Sequence, residues 1–524
     1  MQERIEERRV PSPPPQLPEM REGRPEPIPE AVRALKIVLN EVRIDGATAV
    51  PVETLQERAT PYVGREITGA QIFELARVLT AVYRNAGYIL SQVIVPPQTV
   101  TDGILTLRVI EGYVAEVFVE GDPRVANTLA AFGEKIKASR PLSAGVLERY
   151  LLIANDLPGV HVRSVLAPSR IFGAADLTLI GAVTRFDVFS GFDNYGSKYL
   201  GRGQVSVGVS GHQVLGANDE WSLVGVMAGD DRELAFGQFS YSQMLGTQGV
   251  ELGAAVSRER TRPGDVFEVY KIRGRADTGT MTLSYPLLRA RNRSLLARAL
   301  FDARNVYGEA LGTRVTKDRI RAVRAGVTWT VRDRLGGQNT VDLVYSRGVG
   351  GTDDDDPLRS RLAADGRSGK ATFEYARFQQ IGAKATLTLG ASGQWTNEPL
   401  LSTEQFALGG RRFGRAYEPA ELVGDRALAF RVEPAYLGRP HSTWLAGYQV
   451  FGYFDHGKVR YVGARPAGAA RSESLASAGI GLRATIARYV NAAVEVAWPV
   501  SGSAASYDAR GKDPRVLGSV VVRF

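Results

Sequence analysis

Residues able to do covalent chemistry are scarce in this chain of 524 residues and do not fall at catalytic spacings. There are four histidines (His161, His212, His441 and His456) and no cysteine, which removes disulfide frameworks, thiolate zinc sites and cysteine nucleophiles together. No HExxH, CxxC or GxSxG pattern occurs, nor a phosphate-cradling GxxxxGK followed by Ser or Thr. His161 and His212 lie in alternating segments, where an ordinary sheet position accounts for them. The acidic run 353–356 lacks the spaced ligands and central glycine of a calcium loop and reads as a solvated external loop. The chain is therefore not expected to be an enzyme, and neither a metal nor a cofactor is expected.

What remains is charge in unusual company. Segment 408–418 (LGGRRFGRAYE) sets Arg411, Arg412 and Arg415 among Gly409, Gly410 and Gly414, with the aromatics Phe413 and Tyr417 between them. Downstream, 451–457 (FGYFDHG) places Asp455 on the face opposite Trp444, Ala446, Tyr448, Val450 and Phe454. Taken alone, the first segment is a basic surface loop. If the alternating segments close into a barrel with the apolar face outward, Asp455 points into the lumen, and an arginine loop folded back inside becomes its natural partner. Such a confined Arg–carboxylate pair gains more than an exposed one, which is worth below about 1 kcal/mol, with desolvation setting the limit.

The elements that must position these residues follow from the hydrophobic pattern. No run approaches the roughly 18 apolar residues of a membrane-spanning helix. From Arg185 onward helical periodicity gives way to alternation: Leu428, Phe430 and Val432 oppose Ala429, Arg431 and Glu433, and Val490, Ala492, Val494, Val496 and Trp498 oppose Asn491, Ala493, Glu495 and Ala497. About sixteen such segments share this region at about 21 residues each, the length of a tilted membrane strand of roughly 10 residues plus its connector. Short connections (245–249, 290–293, 486–488) alternate with long ones (261–273, 348–369, 455–474), as in an outer-membrane barrel with turns on one rim and loops on the other. The expected fold is a membrane β-barrel of 16 antiparallel strands over 185–524. With an even strand count both barrel ends lie on the short-turn, periplasmic side, so the region before it is periplasmic.

That region reads as two repeats of β-α-α-β-β order, 35–112 and 113–184. Ile72, Leu75, Leu79, Val82 and Tyr83 mark a helix that stops at Gly87, with strands expected at 88–95 and 104–110; Leu147, Tyr150, Leu151 and Ala154 mark a helix of the second repeat, with strands at 161–166 and 176–183. Residues 11–34 form a linker: eight of the 26 prolines fall within 11–29, a composition that favours extended polyproline II. Residues 1–10 can form about two helical turns, or a disordered tail. No apolar signal segment stands at the N-terminus. The net charge of +9 suits phosphate, anionic lipid or acidic polypeptide and names none of them.

With these residues in place, the sequence resembles the two-partner-secretion outer-membrane transporters (TpsB, the hemolysin-activator type) of the barrel-assembly superfamily, over about 35–524. The family's loop-tip signature, Val-Arg-Gly-Tyr or -Phe after a Gly-Gly pair, is matched by Gly409 and Gly410 with Arg415 and Tyr417, while Gly414 and Ala416 depart from it. Its strand motif is matched by Phe454-Asp455-His456-Gly457. The resemblance implies two periplasmic POTRA domains, a sixteen-stranded barrel, a plug helix at 1–10, and an inward-folded gating loop locked by Arg415 against Asp455. It also implies export of an unfolded secreted exoprotein without ATP, with client docking on sheet edges at Tyr88, Ile89, Leu90 and Val93 and at His161, Val162 and Val165. Phe524 resembles the terminal signal read by the barrel-assembly machinery during outer-membrane insertion. The other expected partner is outer-membrane lipid; no nucleic acid is expected, and the chain is expected to be a monomer in the Gram-negative outer membrane. Two other functions fit the same architecture: an assembly factor for outer-membrane proteins, and a passive porin or adhesin.

Overall fold

The computed structural model describes residues 19–20, 30–33, 35–228, 233–353, 355–465, 468, 470–487, 489–501 and 513–524. It divides into two units, Met1–Thr184 and Arg185–Phe524. The plug segment 1–10 lies outside the described residues, as does most of the linker, where only strand β1 (Glu19–Met20) and a helical turn at Glu30–Arg33 are described.

In the first repeat, β2 (Lys36–Leu39) and β3 (Glu41–Asp45) precede the helix Val52–Ala59, then come β4 (Arg65–Thr68), the helix Gly69–Asn85, β5 (Gln92–Ile94) and β6 (Ile104–Ile110). The extended chain over 36–45 is split at Asn40, whose side chain donates to Asp102 O while its amide turns to Gly103 O. β2 then pairs with β4 as a separate ribbon, and the sheet proper runs β3-β6-β5. Thr68 and Gln71 satisfy each other's backbone donors at the start of the helix Gly69–Asn85. Its Ile72, Leu75, Leu79 and Tyr83 form one buried stripe against Leu39, Leu55, Leu105 and Leu107.

The strand expected at 88–95 is shorter than that. Gly87 takes a left-handed φ of 94°, Tyr88 N–H returns to Tyr83 O, and Ser91 N–H returns to Tyr88 O. Tyr88, Ile89 and Leu90 therefore form a turn that lays Tyr88 against the core, and only Val93 of that proposed docking set lies in a strand, where it is buried. The apolar run that suggested a strand serves the core from a turn.

The second repeat consists of β7 (Tyr113–Gly121), the helices Pro123–Lys137 and Ala144–Asn155, β8 (Val160–Pro168) and β9 (Ala174–Val183). Asp122 caps the first helix through the Arg124 amide, and Pro123 sits at its first position. The sheet order is β1-β8-β9-β7. His161, Val162 and Val165 all lie on β8, with His161 exposed and Val162 buried. The edge is not bare along its whole length, because linker residues Glu19 and Met20 pair in parallel with Val165 and Leu166.

The second unit is a closed barrel of sixteen strands with antiparallel neighbours throughout. Its strands are β10 (Phe186–Asp193), β11 (Gln204–His212), β12 (Asp219–Ala228), β13 (Leu234–Leu245), β14 (Val250–Thr261), β15 (Arg273–Arg289), β16 (Arg293–Ala310), β17 (Thr313–Arg332), β18 (Gln338–Gly351), β19 (Gly369–Ile381) and β20 (Ala385–Trp395). A hairpin of β21 (Phe406–Leu408) and β22 (Leu422–Gly424) stands apart, and the wall resumes with β23 (Arg426–Gly438), β24 (Leu445–Arg460), β25 (Ser472–Ile486), β26 (Val490–Ser501) and β27 (Arg515–Arg523). β27 closes on β10 through a ladder confined to Phe189–Asp193 against Ser519–Arg523. Alternation does the sorting: Leu428, Phe430 and Val432 are exposed on the lipid side, while Ala429 and Glu433 at alternate positions are buried on the other. One connection departs from the expected long loops. β16 and β17 extend far enough that a tight turn closes them, with Leu311 and Gly312 at φ 51° and 80°.

Candidate functional site

The connection between β20 and β23 is long, and its tip is packed among lumen-facing side chains. Phe413, Ala416 and Tyr417 share one buried cluster with Tyr195, just past β10, and with Phe451, Tyr453, Leu475 and Leu517 from the barrel wall. The sequence forms this tip by local means. β21 and β22 pair as a hairpin stem, and above it Gly409 N–H bonds Phe413 O at 2.9 Å while Tyr417 N–H bonds Gly414 O at 3.0 Å. Gly409 and Gly410 adopt left-handed φ values of 103° and 87°. A Cβ on Gly409 would lie 2.1 Å from the Glu418 carbonyl oxygen, so only glycine fits there.

Arg415 is carried inward by this tip and is 2% exposed. Its Nη1 bonds Glu495 Oε2 at 2.9 Å and its Nη2 bonds Glu433 Oε2 at 2.8 Å, while Nε lies 3.4 Å from Asp455 Oδ2. The guanidinium carbon sits 3.7 Å from the Tyr453 ring centroid, so the group is stacked as well as paired. Arg483 repeats the arrangement beside it, bonding Glu433 Oε1 at 2.7 Å and lying 3.7 Å over Phe451. Asp455 is fully buried and also accepts from Ser477 Oγ. Three carboxylates from β23, β24 and β26 thus converge on one loop cation, a desolvated arrangement that is costly to break from either side.

Tyr417 anchors the far side of the tip: its hydroxyl donates to Ser501 O at 2.8 Å, and its own carbonyl accepts from Arg515. Arg412 pairs with Glu374 in a more open position, and Arg411 lies over the Tyr195 ring. The descending limb has a second attachment, where Glu404 accepts from Arg324 Nη2 at 3.0 Å and lies 2.9 Å from Lys370 Nζ. At the loop's base Asp425, fully buried, pairs with Arg361, which also donates to Leu400, Val462 and Ala464 carbonyls.

The sequence pattern sets a glycine-rich arginine loop against an inward Asp455, the resemblance names Arg415 and Tyr417 within that loop, and the structure buries all three together. Glu433, Glu495, Tyr453 and Arg483 were not singled out. The parity of Glu433 and Glu495 was readable, since both alternate with outward apolar residues, but their convergence depends on strand order and tilt. Glu404 and Arg361 had no local signal at all.

A family model, Haemolysin secretion/activation protein ShlB/FhaC/HecB, matches residues 181–484, and a second, POTRA domain of ShlB type, matches 37–112. Among curated proteins, the heme/hemopexin transporter protein HuxB of Haemophilus influenzae is 23% identical over 443 residues, covering 82% of this chain and 77% of HuxB. The outer membrane transporter CdiB of Dickeya dadantii is 22% identical over 489 residues, covering 88% of this chain and 83% of CdiB. The solved structure of CdiB from Escherichia coli superposes with a TM-score of 0.76 at 19% identity, covering 95% and 92% of the two chains, a likeness of fold. The first repeat is therefore a POTRA domain, and the chain is an outer-membrane transporter with its POTRA region in the periplasm. By the match of its barrel, the chain belongs to the ShlB/FhaC/HecB haemolysin secretion/activation family, the outer-membrane transporters of two-partner secretion.

Proposed function

We propose that this chain exports one unfolded exoprotein through its barrel, with the loop of residues 396–425 as the gate and Arg415 as its lock. The observation that carries the reading is the convergence of Glu433, Asp455 and Glu495 on a single buried arginine borne by a loop and not by the wall. A loop held inside the lumen by charge can leave it when a polar chain competes for the same carboxylates, whereas a wall residue cannot. The client docks by adding a strand to an exposed sheet edge, where main-chain hydrogen bonds give affinity without demanding a sequence. β8 between Val160 and Ser164 offers such an edge, and β5 a shorter one. Export then draws on folding of the client outside the cell, with no nucleotide.

The test is a secretion assay in cells producing the transporter and its exoprotein, with barrel folding followed by heat-modifiable electrophoretic migration. Arg415→Ala should abolish export and leave a folded barrel. Asp455→Ala should reduce export less, because the two closest hydrogen bonds of Arg415 go to Glu433 and Glu495. Normal export by both variants would overturn the lock. The partner class is tested separately by binding of detergent-solubilised full chain to the unfolded N-terminal segment of the exoprotein and to an unfolded outer-membrane barrel; preference for the barrel polypeptide would favour an assembly factor instead.

A further inference from the structure

The lipid-facing wall carries a feature independent of the gate. Across β17 to β24, outward positions hold Tyr345, Phe373, Trp395 and Leu428, and between them the surface drops to Ala325 and Ala371, opening a concavity of about 1150 Å³. Apolar walls on this face need no partner beyond lipid chains. The end of the concavity at the long-loop rim is different. Arg426 and Arg460 stand directly opposite each other on β23 and β24, with Leu428 and Lys458 the next pair on the same face, and Arg471 adjoins them before β25.

Like charges directly opposite in a sheet repel, and cations on the lipid side of a barrel strand are unfavourable away from the interface. Arg426 is fixed in place, its Nε donating to Thr396 O at 2.6 Å and its guanidinium stacked 3.9 Å over Trp395. Among the described residues, Lys458, Arg460 and Arg471 make no side-chain hydrogen bond or ion pair. The nearby carboxylate Glu398 is engaged by Arg347 at 3.2 Å and by the Gly369 amide at 2.6 Å. Elsewhere on the outer face the same problem is solved internally, where Arg258 and Arg275 share Asp277 at 2.5 and 2.7 Å. Among the described residues no carboxylate pairs with Lys458, Arg460 or Arg471, which leaves an anion from outside the chain to compensate them.

We propose that this groove binds a phosphorylated glycolipid of the outer leaflet, with acyl chains lying along Tyr345, Phe373 and Leu428 and phosphates bridging Arg426, Lys458, Arg460 and Arg471. A ligand with several chains and more than one phosphate suits both halves of the site: a wide apolar trough and a cap of four cations at headgroup level. Lys458, one pair deeper than Arg460, reaches the rim by extending its stem along Leu428.

The experiment is native mass spectrometry of the delipidated full chain in detergent with three probes: bisphosphorylated lipid A, the same lipid A without its phosphates, and phosphatidylglycerol. The wild type should retain bisphosphorylated lipid A in preference to the other two. Lys458→Gln with Arg460→Gln should lower that adduct by at least about tenfold, given the attraction of basic residues for anionic headgroups, while Arg258→Gln should leave it unchanged. Arg471→Gln, which lies outside the strands, gives the same reading if the double variant fails to fold, with a smaller loss. Equal retention of the dephosphorylated lipid or of phosphatidylglycerol, no adduct on the wild type, or undiminished binding by the folded variants would overturn the assignment.

Discussion

Arg415 is held by shape as much as by charge. Its two terminal nitrogens reach different carboxylates while its plane lies on Tyr453, and a lysine offers neither the fork nor the flat face. Arg415→Lys should therefore behave like Arg415→Ala, with lost export and faster protease cleavage within 396–425, and a lysine variant with wild-type protection would mean that charge alone suffices. Glu433 serves both Arg415 and Arg483, so Glu433→Gln should loosen the loop more than Glu495→Gln; removing one partner of such a buried pair typically costs about 3–5 kcal/mol. The sequence discloses a basic glycine-rich loop and an inward Asp455 because composition and strand parity are local properties, while the choice of Arg415 and Tyr417 within that loop rests on the family resemblance. It is silent on which carboxylate lies nearest, since β23, β24 and β26 bring Glu433, Asp455 and Glu495 together only after the wall has closed.

The periplasmic elements are held by a polar contact that titrates. In the first POTRA domain Glu111 accepts from Thr48 Oγ1, the Thr48 and Ala49 amides and the Tyr83 hydroxyl, tying the loop after β3 to the end of β6 and to the long helix. Burial by itself raises its pKa, but these donors together outweigh burial and hold Glu111 below the ordinary carboxylate range. A depressed folded pKa adds stability that is present above the unfolded value and lost as pH falls through the folded one. Hydrogen-exchange protection over residues 35–112 of the intact protein, taken relative to the intrinsic rate at each pH, should therefore fall on acidification below the ordinary Glu range, and Glu111→Gln should flatten that dependence while lowering protection at neutral pH. Unchanged protection in the variant would remove Glu111 from the account. Helices were legible here through spacing, as with Ile72, Leu75, Leu79 and Tyr83, whereas the turn at Tyr88–Leu90 was not, because an apolar run reads the same in a strand and in a turn that folds onto the core.

At the scale of the whole barrel, the shortest ladder is the one that closes it, between β10 and β27. A transporter that passes its client through the lumen does not need this seam to part, while a factor that inserts other barrels laterally does. The chain has no native cysteine, so Ser190→Cys with Val522→Cys, at facing positions, gives a clean lock. Oxidised, this variant should still secrete at wild-type levels; loss of export reversed by reductant would favour lateral release. Because β21 and β22 form a stem of their own and the glycine tip is tied by its own backbone, the loop proposed as the gate can withdraw as one piece without melting. Single-pore current recordings should then show discrete jumps between two levels, and a smooth continuum of conductances would mean that the gate unravels strand by strand.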